Sequence, residues 1–99
     1  MKPLITLAQA EKDVAQAYRW YKARGGADLG TRFLDEVAAQ YRNVSERPGS
    51  FPRVYRTARR ALCDRFPYAV YFVEAEDLLT VIAVVHTSRH PRTWRSRLT

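Results

Sequence analysis

Hydrophobic residues recur every three or four positions over the first part of the chain, which is the period of an amphipathic α-helix. The first stripe comprises Leu7, Ala10, Val14, Ala17, Tyr18 and Tyr21. Gly25 and Gly26 follow it, and because glycine readily adopts the backbone conformation that ends helices, this helix should run to about Arg24. A short strand is predicted before it, over residues 3–6.

A second stripe with the same period begins after the glycine pair. It comprises Leu29, Phe33, Val37, Tyr41 and Val44. Asp28 is a residue type that caps the start of helices, and Pro48 with Gly49 forms a pair that ends them. The connection between the two helices is short, so we predict that they pack against each other as an antiparallel hairpin.

The second half of the chain changes to runs of β-branched and aromatic residues. Residues 68–73 and 79–85 form two such runs, and the acidic segment 74–77 between them predicts a β-hairpin. Residues 60–64 are too short and too polar for a helix, and we predict a further strand there. Residues 91–98 form a basic tail of one or two helical turns.

The predicted order of elements is strand, helix, helix, strand, strand, strand. This order is typical of an α+β fold in which an N-terminal strand and a helical hairpin pack on a mainly antiparallel sheet, followed here by a short basic C-terminal tail. The continuous apolar strands indicate that much of both sheet faces is covered. A chain of 99 residues is expected to form one domain, residues 1–99, and strand order stays open.

Composition excludes several classes of protein. The single cysteine, Cys63, rules out an internal disulfide and a multi-cysteine metal site. No apolar run approaches the roughly 20 residues of a membrane span, and residues 1–5 are too few for a signal peptide. We therefore expect a cytoplasmic protein that uses no metal, no cofactor and no membrane.

The net charge of +7 is unevenly distributed. Residues 1–46 carry seven Lys and Arg against six Asp and Glu, whereas residues 47–99 carry ten Arg against four acidic residues, a net charge of +6. Fourteen of the 17 basic residues are arginine, whose planar guanidinium pairs bidentately with phosphate and carboxylate groups. This points to a polyanionic partner or an acidic protein segment, and the alternative is a surface that serves only solubility.

Five segments, in the same order along the chain, resemble characteristic segments of the RelE/ParE superfamily of toxins. They are residues 8–21, 30–37, 48–52, 65–72 and 81–94. The chain is similar to this superfamily over nearly its full length, and closer to the ParE branch of plasmid stabilisation proteins than to the RNA-cleaving RelE branch. The resemblance implies a strand-helix-helix-three-strand fold and a growth-arresting toxin that a cognate antitoxin holds inactive.

The resemblance leaves two mechanisms open, because RelE-type toxins cleave mRNA on the ribosome whereas ParE-like toxins are associated with inhibition of DNA gyrase. In the RNA-cleaving branch an arginine lies near the position of Tyr68 and a tyrosine near that of Trp94. Indole has no acidic proton near neutral pH, so Trp94 would not replace that tyrosine. We therefore expect a non-hydrolytic toxin that inhibits gyrase. The alternatives are a ribosome-dependent mRNA endoribonuclease and a non-toxic member that binds only its antitoxin.

Metal-independent RNA cleavage needs a base for the 2′-hydroxyl, a cation for the phosphorane and an acid for the leaving oxygen. For a ribonuclease the candidates would be His86, Arg89 and Arg65. His86 would be the acid or base, since imidazole titrates near neutral pH. The competing interpretation is that the His86 ring hydrogen-bonds backbone groups at the end of the last strand. For a non-hydrolytic toxin we assign no catalytic residue.

A partner surface is expected from exposed aromatic and basic side chains. Trp20 lies off the first helical stripe, which indicates a protein contact on the helical hairpin, such as antitoxin docking. Trp94 either covers the end of the sheet or anchors a partner. The basic residues assigned to this surface are Arg59, Arg60, Arg89, Arg92, Arg95 and Arg97. No acidic residue follows His86, so the last four need a counter-charge from elsewhere in the fold or from a partner.

Overall fold

The computed structural model describes residues 1–98, which form five strands, one long helical segment and a short helix. The strands are β1 (Leu4–Thr6), β2 (Arg53–Tyr55), β3 (Ala58–Leu62), β4 (Tyr68–Ala75) and β5 (Leu78–His86). The helices are α1 (Ala8–Glu46) and α2 (Arg92–Arg95), and a 3-10 turn covers Pro48–Ser50. No helix in residues 1–98 combines the length and the apolar character needed to cross a membrane.

The two predicted helices form one element, α1, that bends sharply at Gly26. This residue has φ 80° and ψ −174°, a conformation that favours glycine. A straight helix of 39 residues would be about 58 Å long, whereas the longest dimension of the molecule is 40 Å. The rings of Tyr21 and Phe33, on either side of the bend, lie 5.2 Å apart. The N-terminal arm (residues 8–25) and the C-terminal arm (residues 27–46) therefore pack as the predicted hairpin.

All five strands belong to one sheet with the order β1-β5-β4-β3-β2. β1 is parallel to β5 and the other neighbours are antiparallel, which confirms the predicted α+β fold with a mainly antiparallel sheet. The strand predicted over residues 60–64 is β3 and begins two residues earlier. β2 was not predicted, because its three residues are too few to show an alternating pattern.

Apolar residues pack on both faces of the sheet, as the hydrophobic strands predicted. On the inner face, which packs against α1, Phe33 of the helix is buried with Phe72 and Leu79 of the sheet. On the outer face, α2 places Trp94 flat on Tyr71, with ring centroids 4.1 Å apart. Trp94 is only 4% exposed, so the predicted basic tail supplies a core residue to the outer face.

A β-bulge in β5 alters the edge of this strand that faces β1. Tyr71 pairs with Ala83 whereas Phe72 pairs with Val81, so Ile82 has no partner in β4. The pairing of β1 with β5 ends where Thr6 meets Val81. The backbone groups that follow Val81 on this edge therefore need hydrogen-bond partners from outside the sheet.

Candidate functional site

A cleft of about 470 Å³ opens between the N-terminal arm of α1 and the end of the sheet where β4 begins and β5 ends. Its lining includes Asp13, Gln16, Trp20, Tyr68, His86 and Arg89. We call it the helix-side cleft. It brings together two regions that are distant in the sequence, the first helical stripe and the segment after β5, and both regions supply residues that the sequence analysis singled out.

Trp20 forms an aromatic rim of the helix-side cleft. The residue is 48% exposed, whereas its neighbour Tyr21 is buried and meets the Trp20 ring edge-on at 5.0 Å. The guanidinium of Arg24, one turn later, lies 3.9 Å from the centroid of the Trp20 ring, a cation–π contact. A large apolar surface beside a positive charge is therefore open to a partner at this rim.

His86 organises the turn that follows β5. Its Nδ1 accepts a hydrogen bond from the Ser88 amide at 3.0 Å and lies 2.8 Å from the Ser88 hydroxyl. A nitrogen that accepts from an amide carries no proton, so the neutral ring bears its hydrogen on Nε2. The ring of Tyr68, the β4 partner of His86, lies 5.4 Å away. This is the structural arrangement that the sequence analysis set against a catalytic one.

The phenol groups of the helix-side cleft stay protonated near neutral pH. Burial raises the pKa of Tyr68, and the positive charge of Arg89 opposes that shift. Burial also raises the pKa of Tyr21, and the nearby Tyr68 and Cys63 groups add to the shift. These phenols therefore offer hydrogen-bond donors and acceptors to a ligand but no base.

Asp13 connects α1 to the open edge of β5 and to the C-terminal segment. Its Oδ2 accepts the Val84 amide at 3.0 Å, and its two oxygens accept the terminal nitrogens of Arg97 at 2.6 and 3.2 Å. Arg97 also donates to the Ile82 carbonyl at 2.9 Å. The side chains of this ion pair are 13% and 14% exposed. The pair thus supplies partners for β5 groups beyond the reach of β1 and ties down the tail after α2.

The outer face of the sheet carries arginines around Tyr55. The guanidinium carbons of Arg95 and Arg56 lie 4.3 and 5.1 Å from the centroid of the Tyr55 ring. Tyr55 pairs with Ala58 of β3, and Arg60, two residues later on the same strand, lies on the same face of the sheet. Arg92 lies in α2, one turn before Arg95. We call Arg56, Arg60, Arg92 and Arg95 the outer arginine cluster.

Both the sequence and the fold match a known family. The model of the ParE toxin of type II toxin-antitoxin systems, parDE, matches residues 4–91. The chain belongs to the ParE toxin family. The solved structure of the chromosomal ParDE toxin-antitoxin system from P. aeruginosa is similar, with a TM-score of 0.78 and 15% sequence identity over 87% of this chain and 96% of that chain. At that identity the likeness shows a shared fold. No curated protein sequence matches the chain.

Membership of the ParE family agrees with the branch that the sequence resemblance predicted. The residues proposed for an alternative ribonuclease are not all in one place. His86 and Arg89 line the helix-side cleft, whereas Arg65 lines a separate cavity of about 420 Å³ beside the C-terminal arm of α1. Glu36 of that arm accepts the backbone amides of Asp64 and Arg65, which ties the connection between β3 and β4 to the helix. The structure therefore does not bring Arg65 together with the other two.

Three residues expected on the partner surface make contacts within the fold of this ParE family member. Trp94 is buried, so it covers the sheet, which was the first of its two interpretations. Arg97 is bound by Asp13, which lies 84 residues earlier in the chain and supplies the counter-charge that the local sequence lacks. Arg59 is partly buried and donates to the Phe51 carbonyl at 2.6 Å. In this structure Trp94 and Arg97 are therefore engaged within the fold.

Asp13, Tyr55 and Arg56 were not predicted as site residues. Asp13 is one acidic residue among several on an amphipathic helix, and no local feature distinguishes it. Tyr55 precedes Arg56, which has a positive φ of 50° in the turn between β2 and β3. An aromatic residue between two arginines, Arg53 and Arg56, was a signal that could have drawn attention to this segment.

Neither thiol nor metal chemistry is supported by the described residues. Burial raises the pKa of the Cys63 thiol to about 12, and the carboxylates of Glu36 and Asp64 add to the shift. The reactive thiolate is therefore scarce at neutral pH. Within residues 1–98, no three His, Cys, Asp or Glu side chains are placed to hold a metal ion together.

Proposed function

We propose that this member of the ParE family is neutralised by a cognate antitoxin and acts in the cytoplasm by inhibiting DNA gyrase. The main support for a non-hydrolytic mechanism is the chemistry and the burial of the Trp94 side chain. It stands near the position of a tyrosine in the RNA-cleaving branch, its indole has no acidic proton, and it is 4% exposed. A ribonuclease of the RelE type would need a different acid.

The groups around His86 support the same proposal. Ser88 occupies Nδ1 of the His86 ring, and Arg97 neutralises the carboxylate of Asp13. Arg89 is then the remaining cationic side chain in the lining of the helix-side cleft, and the Tyr68 phenol is protonated. A complete set of base, cation and acid is therefore not assembled from uncommitted side chains.

We place the antitoxin in the helix-side cleft. Trp20 offers a half-exposed indole there, and Tyr68 forms part of the opposite wall. Tryptophan, tyrosine and arginine dominate the binding energy of protein interfaces. An apolar antitoxin side chain would fill the space between these rings, and acidic antitoxin residues would meet Arg24 and Arg89. We assign contact with the target to the outer face, where Arg92 and Arg95 are exposed.

A supercoiling assay with purified gyrase tests the proposal. The wild-type protein should inhibit supercoiling, and excess antitoxin should relieve the inhibition. In a translating extract the wild-type protein should leave mRNA intact. Growth arrest on induction should survive His86→Gln, because no proton transfer through the imidazole is needed.

Three outcomes would contradict the proposal. Ribosome-dependent mRNA cleavage that is abolished by His86→Gln in a folded protein would make the chain an endoribonuclease, since loss of a general acid or base costs roughly 10²–10⁴-fold in rate. Absence of growth arrest on induction would indicate that the protein is a non-toxic family member that binds only its antitoxin. Full supercoiling activity in the presence of the wild-type protein would exclude gyrase as the target.

A further inference from the structure

The outer arginine cluster forms no ion pair with an acidic side chain among residues 1–98. Within residues 1–98 the ion pairs are Lys2 with Glu74 and Arg97 with Asp13, and neither pair includes a member of the cluster. Like charges that are held close together repel each other unless an anion is present. The positive charge of the outer arginine cluster is therefore available to an external anion.

Aromatic rings hold two of these guanidinium groups in place. Arg95 lies 4.3 Å from the centroid of the Tyr55 ring and 5.5 Å from that of Trp94, and Arg56 lies 5.1 Å from Tyr55. Tyr55 in turn meets the buried Trp94 ring edge-on at 6.0 Å. A guanidinium that stacks on a ring keeps its N–H edges free. Because it is already ordered, it loses less conformational freedom when it pairs with an anion.

Arg60 adds a third guanidinium to the same face. It lies opposite Tyr71 in the register of β3 and β4. Its Nε is buried and has no hydrogen-bond partner among the described residues. A buried donor without an acceptor is unfavourable, so an anion that draws the Arg60 side chain outward would remove this cost.

The surroundings of the outer arginine cluster favour a nucleic acid over a protein as its partner. The large hydrophobic residues with exposed side chains are Met1, Ile5, Trp20, Leu34, Leu62 and Leu78. Of these, only Leu62 belongs to β2, β3 or α2, the elements next to the cluster. Protein interfaces need an apolar, aromatic centre, whereas nucleic-acid interfaces are polar and strongly basic. Trp20 supplies a half-exposed aromatic ring at the helix-side cleft, whereas Leu62 is the one exposed large hydrophobic residue in the three elements next to the cluster.

We propose that the outer arginine cluster binds the phosphate groups of duplex DNA. The inference rests on the proposed function, because gyrase holds duplex DNA in the complex that the toxin would meet. It specifies that the outer face contacts the target complex through the DNA that gyrase holds. Arg56 and Arg95 make the main contacts, since the Tyr55 ring already orders both. Arg60 and Arg92 extend the contact along the strand.

Fluorescence anisotropy of a short labelled DNA duplex tests this contact in the isolated protein. Arg56→Ala with Arg95→Ala should weaken binding at low salt by about tenfold or more, and should lower the slope of log Kd against log salt by about 1.8, or 0.9 for each lost phosphate contact. The matched control is Arg19→Ala with Arg42→Ala, which removes the same charge from exposed positions on α1. The control should leave the slope unchanged.

Several results would overturn the inference. They are failure of the wild-type protein to bind the duplex, and equal loss of binding in the control and cluster variants. Tighter binding of an RNA duplex or of polyglutamate at the same salt concentration would overturn the assignment to DNA. Melting curves by circular dichroism establish that every variant is folded, because exposed arginine substitutions should change stability little.

The supercoiling assay separates this inference from the proposed function. If the wild-type protein and the cluster variant inhibit gyrase equally, the DNA contact has no part in toxicity and the inference fails, while the proposed function stands. If the wild-type protein binds DNA through the cluster and leaves gyrase active, the proposed function fails and the DNA contact stands.

Discussion

The helix-side cleft and the outer arginine cluster lie on opposite faces of one sheet and present different chemistry. In the cleft the half-exposed Trp20 is the main feature, and the acidic Asp13 is neutralised by Arg97. On the outer face Trp94 is buried, and the surface is formed by arginines that have no acidic partner within residues 1–98. The first region is suited to an apolar protein segment and the second to a polyanion.

The same contrast separates residues that are close in the sequence. Arg95 lies over Tyr55 on the outer face, whereas Arg97, two residues later, reaches Asp13 on α1. The tail after α2 therefore passes around the open edge of β5. One arginine remains exposed to solvent and the other completes the fold, so the residue type alone does not assign a role.

The largest predicted effect compares the two tryptophans. Trp94→Ala should cost about 3–5 kcal/mol in the free energy of unfolding, because it empties the core of the outer face. Trp20→Ala should cost less than about 1 kcal/mol, because the side chain is half exposed. Urea unfolding followed by circular dichroism measures both. Equal losses of unfolding free energy in the two variants would show that Trp94 and Trp20 contribute equally to stability, despite their different exposures.

Removal of the Asp13 carboxylate tests the link between the two faces. Asp13→Asn should cost about 3 kcal/mol in unfolding free energy, because it leaves the largely buried Arg97 without its counter-charge. Asp28→Asn, at an exposed position on α1, is the control and should change stability by about 0.5 kcal/mol or less. The same urea titration applies. An Asp13 variant as stable as the control would mean that the ion pair does not hold the tail.

A third experiment asks which face binds the antitoxin. Trp20→Ala should weaken antitoxin binding by about 2 kcal/mol, roughly thirtyfold in Kd, because an exposed indole is a typical interface anchor. Leu34→Ala, an exposed apolar residue on the C-terminal arm, is the control. Isothermal titration calorimetry gives both constants. If Arg56→Ala with Arg95→Ala weakens antitoxin binding more than Trp20→Ala does, the assignment of the two faces is reversed.

The bend of α1 positions one wall of the helix-side cleft, and its glycine provides a smaller test. Gly26→Ala should cost about 1–2 kcal/mol, because a side chain is strained at φ 80° and ψ −174°. Gly49→Ala is the control, since a Cβ meets nothing within 4 Å at either position and only Gly26 has a positive φ. Thermal melting distinguishes the two variants. Equal melting temperatures would remove backbone strain as the reason for glycine at the bend.

The smallest effect belongs to the Lys2–Glu74 ion pair, which is distant from both regions. A hydrogen bond from Lys2 lowers the pKa of Glu74. A lowered pKa stabilises the fold above the ordinary carboxyl pKa, and this stabilisation is lost as the pH falls through the value in the folded state. Wild type should therefore melt slightly above Glu74→Gln at pH 7, and the two should converge in acid. A difference that persists in acid would point to packing instead of charge.

Several elements could be predicted from the sequence because their signals are local. The two apolar stripes, which begin at Leu7 and Leu29, predicted the two arms of α1. The β-branched runs predicted the β4–β5 hairpin. β2 could not be predicted, since Arg53, Val54 and Tyr55 form a strand only by pairing with β3. The candidate site was predicted in part. Trp20 was correctly expected to be exposed, but nothing local indicated that it shares a cleft with His86.

By itself the sequence determined the helical hairpin, the covered sheet, the basic C-terminal half and the ParE family resemblance, because periodicity, composition and motifs are properties of short segments. Only the tertiary structure decided that Trp94 is buried, that Arg97 is neutralised by Asp13, and that other arginines of the same tail form no ion pair in the described part of the chain. The physical reason is that burial and charge neutralisation depend on partners, and here the decisive partner lies 84 residues away in the chain.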